Sequence, residues 1–359
     1  MTPCRQRAAL LLLAAIAGSA WAQSPGPNNA ITDVPGITVG QYTGADSGTT
    51  VVIGSSTAGQ GVGGGVTQRG GSPITRETDL MRPDNMVETM NAIVLGGGSA
   101  FGVAAASGVM RCLEARGVGF PVGGGAVVPI VPTATTFDRA TCSRNPTRPD
   151  FSAGMQACLA ASDGAVAQGN VGAGTGAVAG GVKGGIGTAS VVLSNGVIVG
   201  AIVSVNSEGT PYTSGGELRA ASFGIGNEFS VLTPAGGQAN KVPPSLPGGP
   251  LRSGTNAVVA TNVALTKSQA TKIAEMADDG ISRAIDPAHT AGDSDTLFVL
   301  GTGRVAMASL GDEASVVTLI GSAAGDVVSR AIVHAVLAAK STCQPSYCDT
   351  FPSACKDRR

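Results

Sequence analysis

Between Thr233 and Arg252 the chain carries five prolines and four glycines in twenty residues, and then it changes character within one step. Ser253-Gly254-Thr255-Asn256-Ala257-Val258-Val259-Ala260-Thr261 is largely apolar and rich in β-branched residues. A loop so rich in Pro and Gly is not core, whereas the run that follows reads as a buried strand. A hydroxyl residue directly after Gly at such a boundary is where a chain that cuts itself would hold its nucleophile. Cleavage of Gly254–Thr255 would leave Thr255 with a hydroxyl and a free α-amine, and the amine can act as base for the hydroxyl. The plain alternative is a strand that merely begins with a polar residue.

The 359 residues suffice for one large domain or two ordinary ones. They are 43% hydrophobic, yet only 3% are aromatic, and 54 are glycine. Such a chain packs Ala, Val and Ile between closely spaced backbones. The glycines have no three-residue period, which excludes collagen. A net charge of −1 with no basic block gives no attraction for nucleic acid or for an anionic membrane surface.

The first 22 residues have the form of a secretory signal. Arg5 and Arg7 precede the apolar Ala8 to Ala17, and Ala20-Trp21-Ala22 fits a small-x-small cleavage site. The expected mature protein begins near Gln23, is periplasmic or secreted, and lacks a membrane span. Cys4 leaves with the signal, and the six remaining cysteines suit disulfides in that compartment. Cys142 with Cys158, and a pair within Cys343, Cys348 and Cys355, are the local expectations, with the connectivity open. No Cys-x-x-Cys occurs, so no zinc or other metal is expected.

Residues 23 to 33 read as a tail, Thr49 to Ile53 and Asn91 to Leu95 as strands, and Gln60 to Asp84 as loop. Gly96-Gly97-Gly98-Ser99 leads into a helix over about Ala100 to Arg116, with Ser99 read as its N-cap rather than as part of an anion-holding turn. Ser190 to Leu193 and Val197 to Val205 form a hairpin across Ser194-Asn195-Gly196, which places Asn206 at a strand end. Thr266-Lys267-Ser268-Gln269 is a capping box. Behind it Ala270, Ile273, Ala274, Ala277, Ile281 and Ala284 share one helical face. Asp293-Ser294-Asp295 precedes a strand over Thr296 to Leu300, where two carboxylates could orient and charge-balance an N-terminal amine, or simply face solvent. A last helix covers about Ala324 to Lys340. His289 and His334 read as structural, and with only two histidines and no Gly-x-Ser-x-Gly turn a Ser-His-Asp hydrolase is not expected. The mixture of hairpins and helices suggests an α+β protein of stacked, largely antiparallel sheets with helices outside.

These stretches, taken with Arg76-Glu77-Thr78-Asp79-Leu80, Asn91 to Gly102, Gly172 to Ala177, Lys183 to Gly187 and Val205-Asn206, resemble a known family. It is the self-cleaving family of β-peptidyl aminopeptidases, D-aminopeptidase/esterases and nylon-oligomer hydrolases, and the likeness spans nearly the whole mature chain. The resemblance implies an αββα four-layer sandwich of the N-terminal-nucleophile, ornithine-acetyltransferase-like kind. It also implies a cut into an α chain (23–254) and a β chain (255–359) that assemble as a homo-oligomer of αβ units, without a cofactor. Carried over by position, Asn206 would serve the oxyanion hole, Asp293 and Asp295 would be the acidic pair, and Lys183 a polar active-site residue. Phe137 falls near where some relatives have a Tyr. Family members commonly read Asn-Thr-Thr-Ile before the Val-Val-Ala-Thr strand. Aligned here without a gap, Gly254 takes the nucleophile slot, and a one-residue gap restores Thr255 to it.

The reading is therefore an exported Thr-nucleophile aminopeptidase or amidohydrolase. It would act on short peptides or peptide amides with a free N-terminus, including β- or D-residues. The alternatives are an uncleaved, inactive relative that binds or scaffolds, and an acyltransferase on a related fold.

Overall fold

The loop-to-strand boundary becomes the first residue of a central strand. The computed structural model describes residues 23–57, 61–138, 143, 146–229 and 253–358. The signal stretch 1–22, the Pro/Gly-rich loop 233–252 and Cys142 lie outside the described residues.

In chain order the early strands are β1 (Ile37–Thr43), β2 (Gly48–Gly54), β3 (Val62–Gln68), β4 (Thr75–Arg76), β5 (Thr89–Met90) and β6 (Ala92–Gly96). Next come β7 (Phe120–Gly123), β8 (Ala126–Val128), β9 (Thr133–Thr135), β10 (Val178–Ala179) and β11 (Val182–Lys183). The long strands β12 (Gly185–Val192), β13 (Ile198–Asn206), β14 (Gly254–Val263) and β15 (Thr296–Val305) follow. The main helices are α1 (Ala105–Glu114), α2 (Phe151–Leu159), α3 (Lys267–Ala284) and α4 (Glu313–Ala338).

One large sheet runs β1-β2-β6-β9-β4 and a second β12-β13-β14-β15-β3-β5, while β7-β8 and β10-β11 form separate two-stranded pairs. Pairing is antiparallel except between β14 and β15 and between β6 and β9. Val52, Ile93 and Leu95 of the first sheet meet Ile202, Val258 and Phe298 of the second in a core between the sheets. The other face of the second sheet packs Ala257, Val259, Leu297 and Val299 against Ile273, Ala277, Ile320 and Val328 of α3 and α4. The first sheet buries Val51 and Val94 under Val109 and Leu113 of α1 and Ala157 of α2. The layers are helix, sheet, sheet, helix, the expected αββα sandwich.

The capping box and the apolar face of α3 form as expected. Four expectations are corrected. Residues 62–68 are not loop but β3, whose glycines read as breakers from sequence alone. A side chain at Gly65 would come within 2.3 Å of the Thr271 nitrogen, so α3 lies too close to the strand for any Cβ. The stretch 23–33 is not a tail, since Ala30 and Ile31 are buried and Asp33 accepts from Ser190 Oγ at 2.6 Å. Ser99 does not cap its helix; Gly98 and Ser99 both have positive φ, and the Ser99 nitrogen donates to the Thr136 carbonyl. Finally, Cys158 pairs with Cys112 rather than Cys142, because α1 packs against α2 and brings the two Cα atoms to 6.4 Å. Cys348–Cys355 is the expected tail pair.

Candidate active site

Parallel pairing of β14 with β15 sets the site's geometry. Asn256 lies beside Thr296, and a bridge between Ser253 and Asp293 extends the same register upstream. The acidic pair thus flanks the strand's first residues. The Thr255 backbone nitrogen donates to Asp295 Oδ1 at 2.6 Å, and Ser253 Oγ donates to Asp293 Oδ1 at 2.5 Å. Asp293 Oδ2 also accepts from the Thr290 nitrogen at 2.8 Å. Asp293 and Asp295 are buried, which excludes the solvated turn as their setting.

His289, read from sequence as structural, enters this cluster. Its backbone nitrogen and Nδ1 lie 3.0 and 2.9 Å from Asp295 Oδ2. Its Nε2 lies 3.0 Å from Asp278 Oδ2 and 3.0 Å from Ser282 Oγ. Asp278 is fully buried on α3 and makes no well-angled hydrogen bond, so this ion pair, with Arg69 at 3.8 Å, balances its charge. Burial pulls the imidazole pKa down, but the neighbouring Asp278 and Asp295 carboxylates outweigh it and raise the value to about 9. Asp278 had a signal in the sequence: a carboxylate that breaks an otherwise apolar helical stripe.

Asn206 and Lys183 belong to a second cluster. Asn206 pairs with Gly254 in the antiparallel β13–β14 ladder. Its Oδ1 accepts from the Val178 nitrogen at 3.0 Å, and its Nδ2 donates to the Phe137 carbonyl at 3.3 Å. Lys183 is buried, and Nζ donates to the carbonyls of Gly174, Ala177 and Gly184 at 3.0, 2.7 and 3.0 Å. Burial lowers the Lys183 pKa to about 7, against the pull of Asp138. Asp138 accepts from Ser47 Oγ and from the Gly98 nitrogen, both at 2.6 Å, and burial raises its pKa. The Gly-rich turn therefore holds a carboxyl group of the protein's own, that of Asp138. A Cβ on Gly97 would fall 1.8 Å from Asp138 Oδ2.

The two clusters lie on opposite faces of the sheet. Side chains alternate along a strand, so Thr255 faces α3 and α4 with Ala257 and Val259. Gly254 and Asn206 face the other sheet, as Val258 and Ile202 do. In the intact chain the Thr255 hydroxyl and the Asn206 amide are therefore not brought together. The hydroxyl is buried without a hydrogen-bond partner. Gly254 has φ +151, and a Cβ there would stand 2.0 Å from Ser294 Oγ. His334 takes no part; it lies 2.6 Å from Glu228 beside the Glu228–Arg330 ion pair. A cavity of about 540 Å³ opens beside the start of α4, lined by Leu310, Ala314, Val316 and Leu319, and holds none of these residues.

Solved structures share this architecture. A Burkholderia sp. β-aminopeptidase superimposes with a TM-score of 0.64 at 23% identity, over 94% of this chain and 96% of the other. An L-aminopeptidase D-Ala-esterase/amidase from Ochrobactrum anthropi gives 0.67 at 21% identity, over 93% and 95%. The fold is thus that of serine aminopeptidases with a variant N-terminal-nucleophile hydrolase architecture. The sequence model of peptidase family S58 matches residues 29–346, and an uncharacterized aminopeptidase of Mycobacterium leprae is 43% identical over 91% of this chain and 96% of its own length. The chain belongs to peptidase family S58 and is by family a serine/threonine-type aminopeptidase. A 6-aminohexanoate-oligomer endohydrolase of Kocuria sp. is 28% identical over 86% of this chain and 84% of its own.

Proposed function

We propose that the chain cuts itself between Gly254 and Thr255. It then acts outside the cytoplasm as an aminopeptidase that releases N-terminal residues, β- and D-residues included, from short peptides or peptide amides. The observation that carries this reading is the 2.6 Å contact of the Thr255 nitrogen with Asp295 Oδ1. That nitrogen is the atom the cut turns into an α-amine, and the Asp295 carboxyl oxygen that would orient it already faces it.

In the first step Thr255 Oγ1 attacks the Gly254 carbonyl carbon, the amide nitrogen leaves with a proton, and the chain becomes an ester. Water opens the ester, leaving the Gly254 carboxylate and a free Thr255 amine. Thr255 is then a chain end, so rotation about its Cα–C bond can exchange the positions of its amine and its side chain. That rotation would carry the hydroxyl toward the face of Asn206. The amine then takes the hydroxyl proton as Oγ1 attacks the substrate carbonyl, the Asn206 amide donates to the oxyanion, the proton passes to the leaving amine, and water hydrolyses the acyl ester to free the residue and restore the Thr255 hydroxyl. Lys183 holds the Gly174–Ala177 segment that borders Asn206. The exposed apolar residues Phe120, Val122 and Val128 on the β7–β8 hairpin support assembly into homo-oligomers.

A second reading is an uncleaved relative with a binding role. Gly254 favours it, since the intact chain presents no hydroxyl at that position on the Asn206 face. Thr255→Ala separates the two. The proposal expects an uncut, inactive variant beside a cut, active parent, and normal processing of the variant would remove Thr255 from the nucleophile's role.

A further inference from the structure

His289 is a titratable group that the chemistry above does not use. Both ring nitrogens face carboxylate oxygens, Nδ1 toward Asp295 and Nε2 toward Asp278. Carboxylate oxygens 2.9 and 3.0 Å from its two nitrogens favour the charged ring over the neutral one, in keeping with its raised pKa. The surrounding groups are largely anionic. Asp278 and Ser282 come from α3, and Asp293 and Asp295 from the segment before β15. Glu208, beyond the end of β13, is near enough to Asp293 for the two charges to oppose each other. Arg69, after β3, is half exposed and 3.8 Å from Asp278.

An amine placed among these buried carboxylates would be held protonated, because nearby negative charge favours its charged form. A protonated amine cannot accept the hydroxyl proton. A cation seated on the other oxygen of Asp295 offsets that field. We propose that His289, as an imidazolium between Asp278 and Asp295, is a positioning residue that aims Asp295 at the Thr255 α-amine and keeps that amine unprotonated at neutral pH. The inference rests on the proposed cut. His289 keeps both of its protons throughout, and the only proton that moves is the one passed from Oγ1 through the amine to the leaving group.

The test is His289→Gln, which keeps a hydrogen-bonding side chain and removes the charge. The variant is expected to be cut, with the acidic limb of its kcat/KM profile moved up by about one pH unit and activity recovered at alkaline pH. A merely structural role would lower the plateau and leave the limb where it was, so an unmoved limb in a cut variant overturns the inference. If mass spectrometry finds the parent protein itself uncut, the inference falls together with the proposed cut, and the mass rather than the kinetics shows it. If the variant does not fold, nitrogen NMR of the parent's imidazoles decides. His334 is the only other histidine, so His334→Gln assigns the signals. A doubly protonated His289 ring at pH 7.5 is expected, and a neutral ring overturns the inference.

Discussion

The two sides of β14 use the same few residue types in opposite ways. On the helix side, three buried carboxylates surround an imidazole and a backbone nitrogen, and charge is balanced by ion pairing. On the side facing the other sheet, a buried lysine and a buried aspartate are each held mainly by neutral donors and acceptors. Burial therefore drives their pKa values toward the uncharged forms, Lys183 down and Asp138 up. One cluster is rich in paired charge, and the other buries its titratable groups among neutral partners. The strand's first residues separate them by a single step of alternation, the step at which a register shift of one reverses a side chain.

The largest expected effect lies on the oxyanion side. Asn206→Ala should lower kcat by roughly a hundredfold or more while the protein stays folded, as for a lost oxyanion donor. An unchanged rate would remove Asn206 from the site and leave the carboxylate cluster as the whole of it. Gly254→Ala comes next. The positive φ and the approach to Ser294 should cost about 1–3 kcal/mol of stability, read by denaturant titration. A neutral substitution would mean that the β14 start is free to move, and the separation of the faces would lose its force.

The smallest effect is a difference in sign. The His289 pKa rises from 6.5 unfolded to about 9 folded, so its stabilisation is complete below 6.5 and lost as pH rises through 9. That of Lys183 falls from 10.5 to about 7, so the unfolded chain binds more protons across that interval and stability grows with pH. Between about pH 7 and 9, thermal melts should show the parent losing stability relative to His289→Gln and gaining it relative to Lys183→Met. Parallel trends would show that the two clusters do not differ as described.

Local pattern carried much of this into the sequence. The β14 strand, the capping box on α3, its apolar face and the acidic pair before β15 each depend on neighbours within a few residues. What escaped depends on distant packing. The β3 glycines look like loop until α3 is known to lie against them. Asp295 meets Thr255 only through a parallel pairing that spans 40 residues. His289 joins the cluster because α3 presents Asp278 to it, a contact no spacing within the 286–295 loop could announce. The cysteine pairing likewise follows from α1 packing on α2 and not from proximity in the chain.

The central claim is that the Thr255 nitrogen becomes a chain terminus beside Asp295. Intact mass of the purified, reduced protein, with N-terminal sequencing of each fragment, tests it most directly. Two chains are predicted, the smaller beginning Thr-Asn-Ala-Val. A single uncut chain would contradict the account and leave an S58 fold whose Gly254 marks a lost nucleophile.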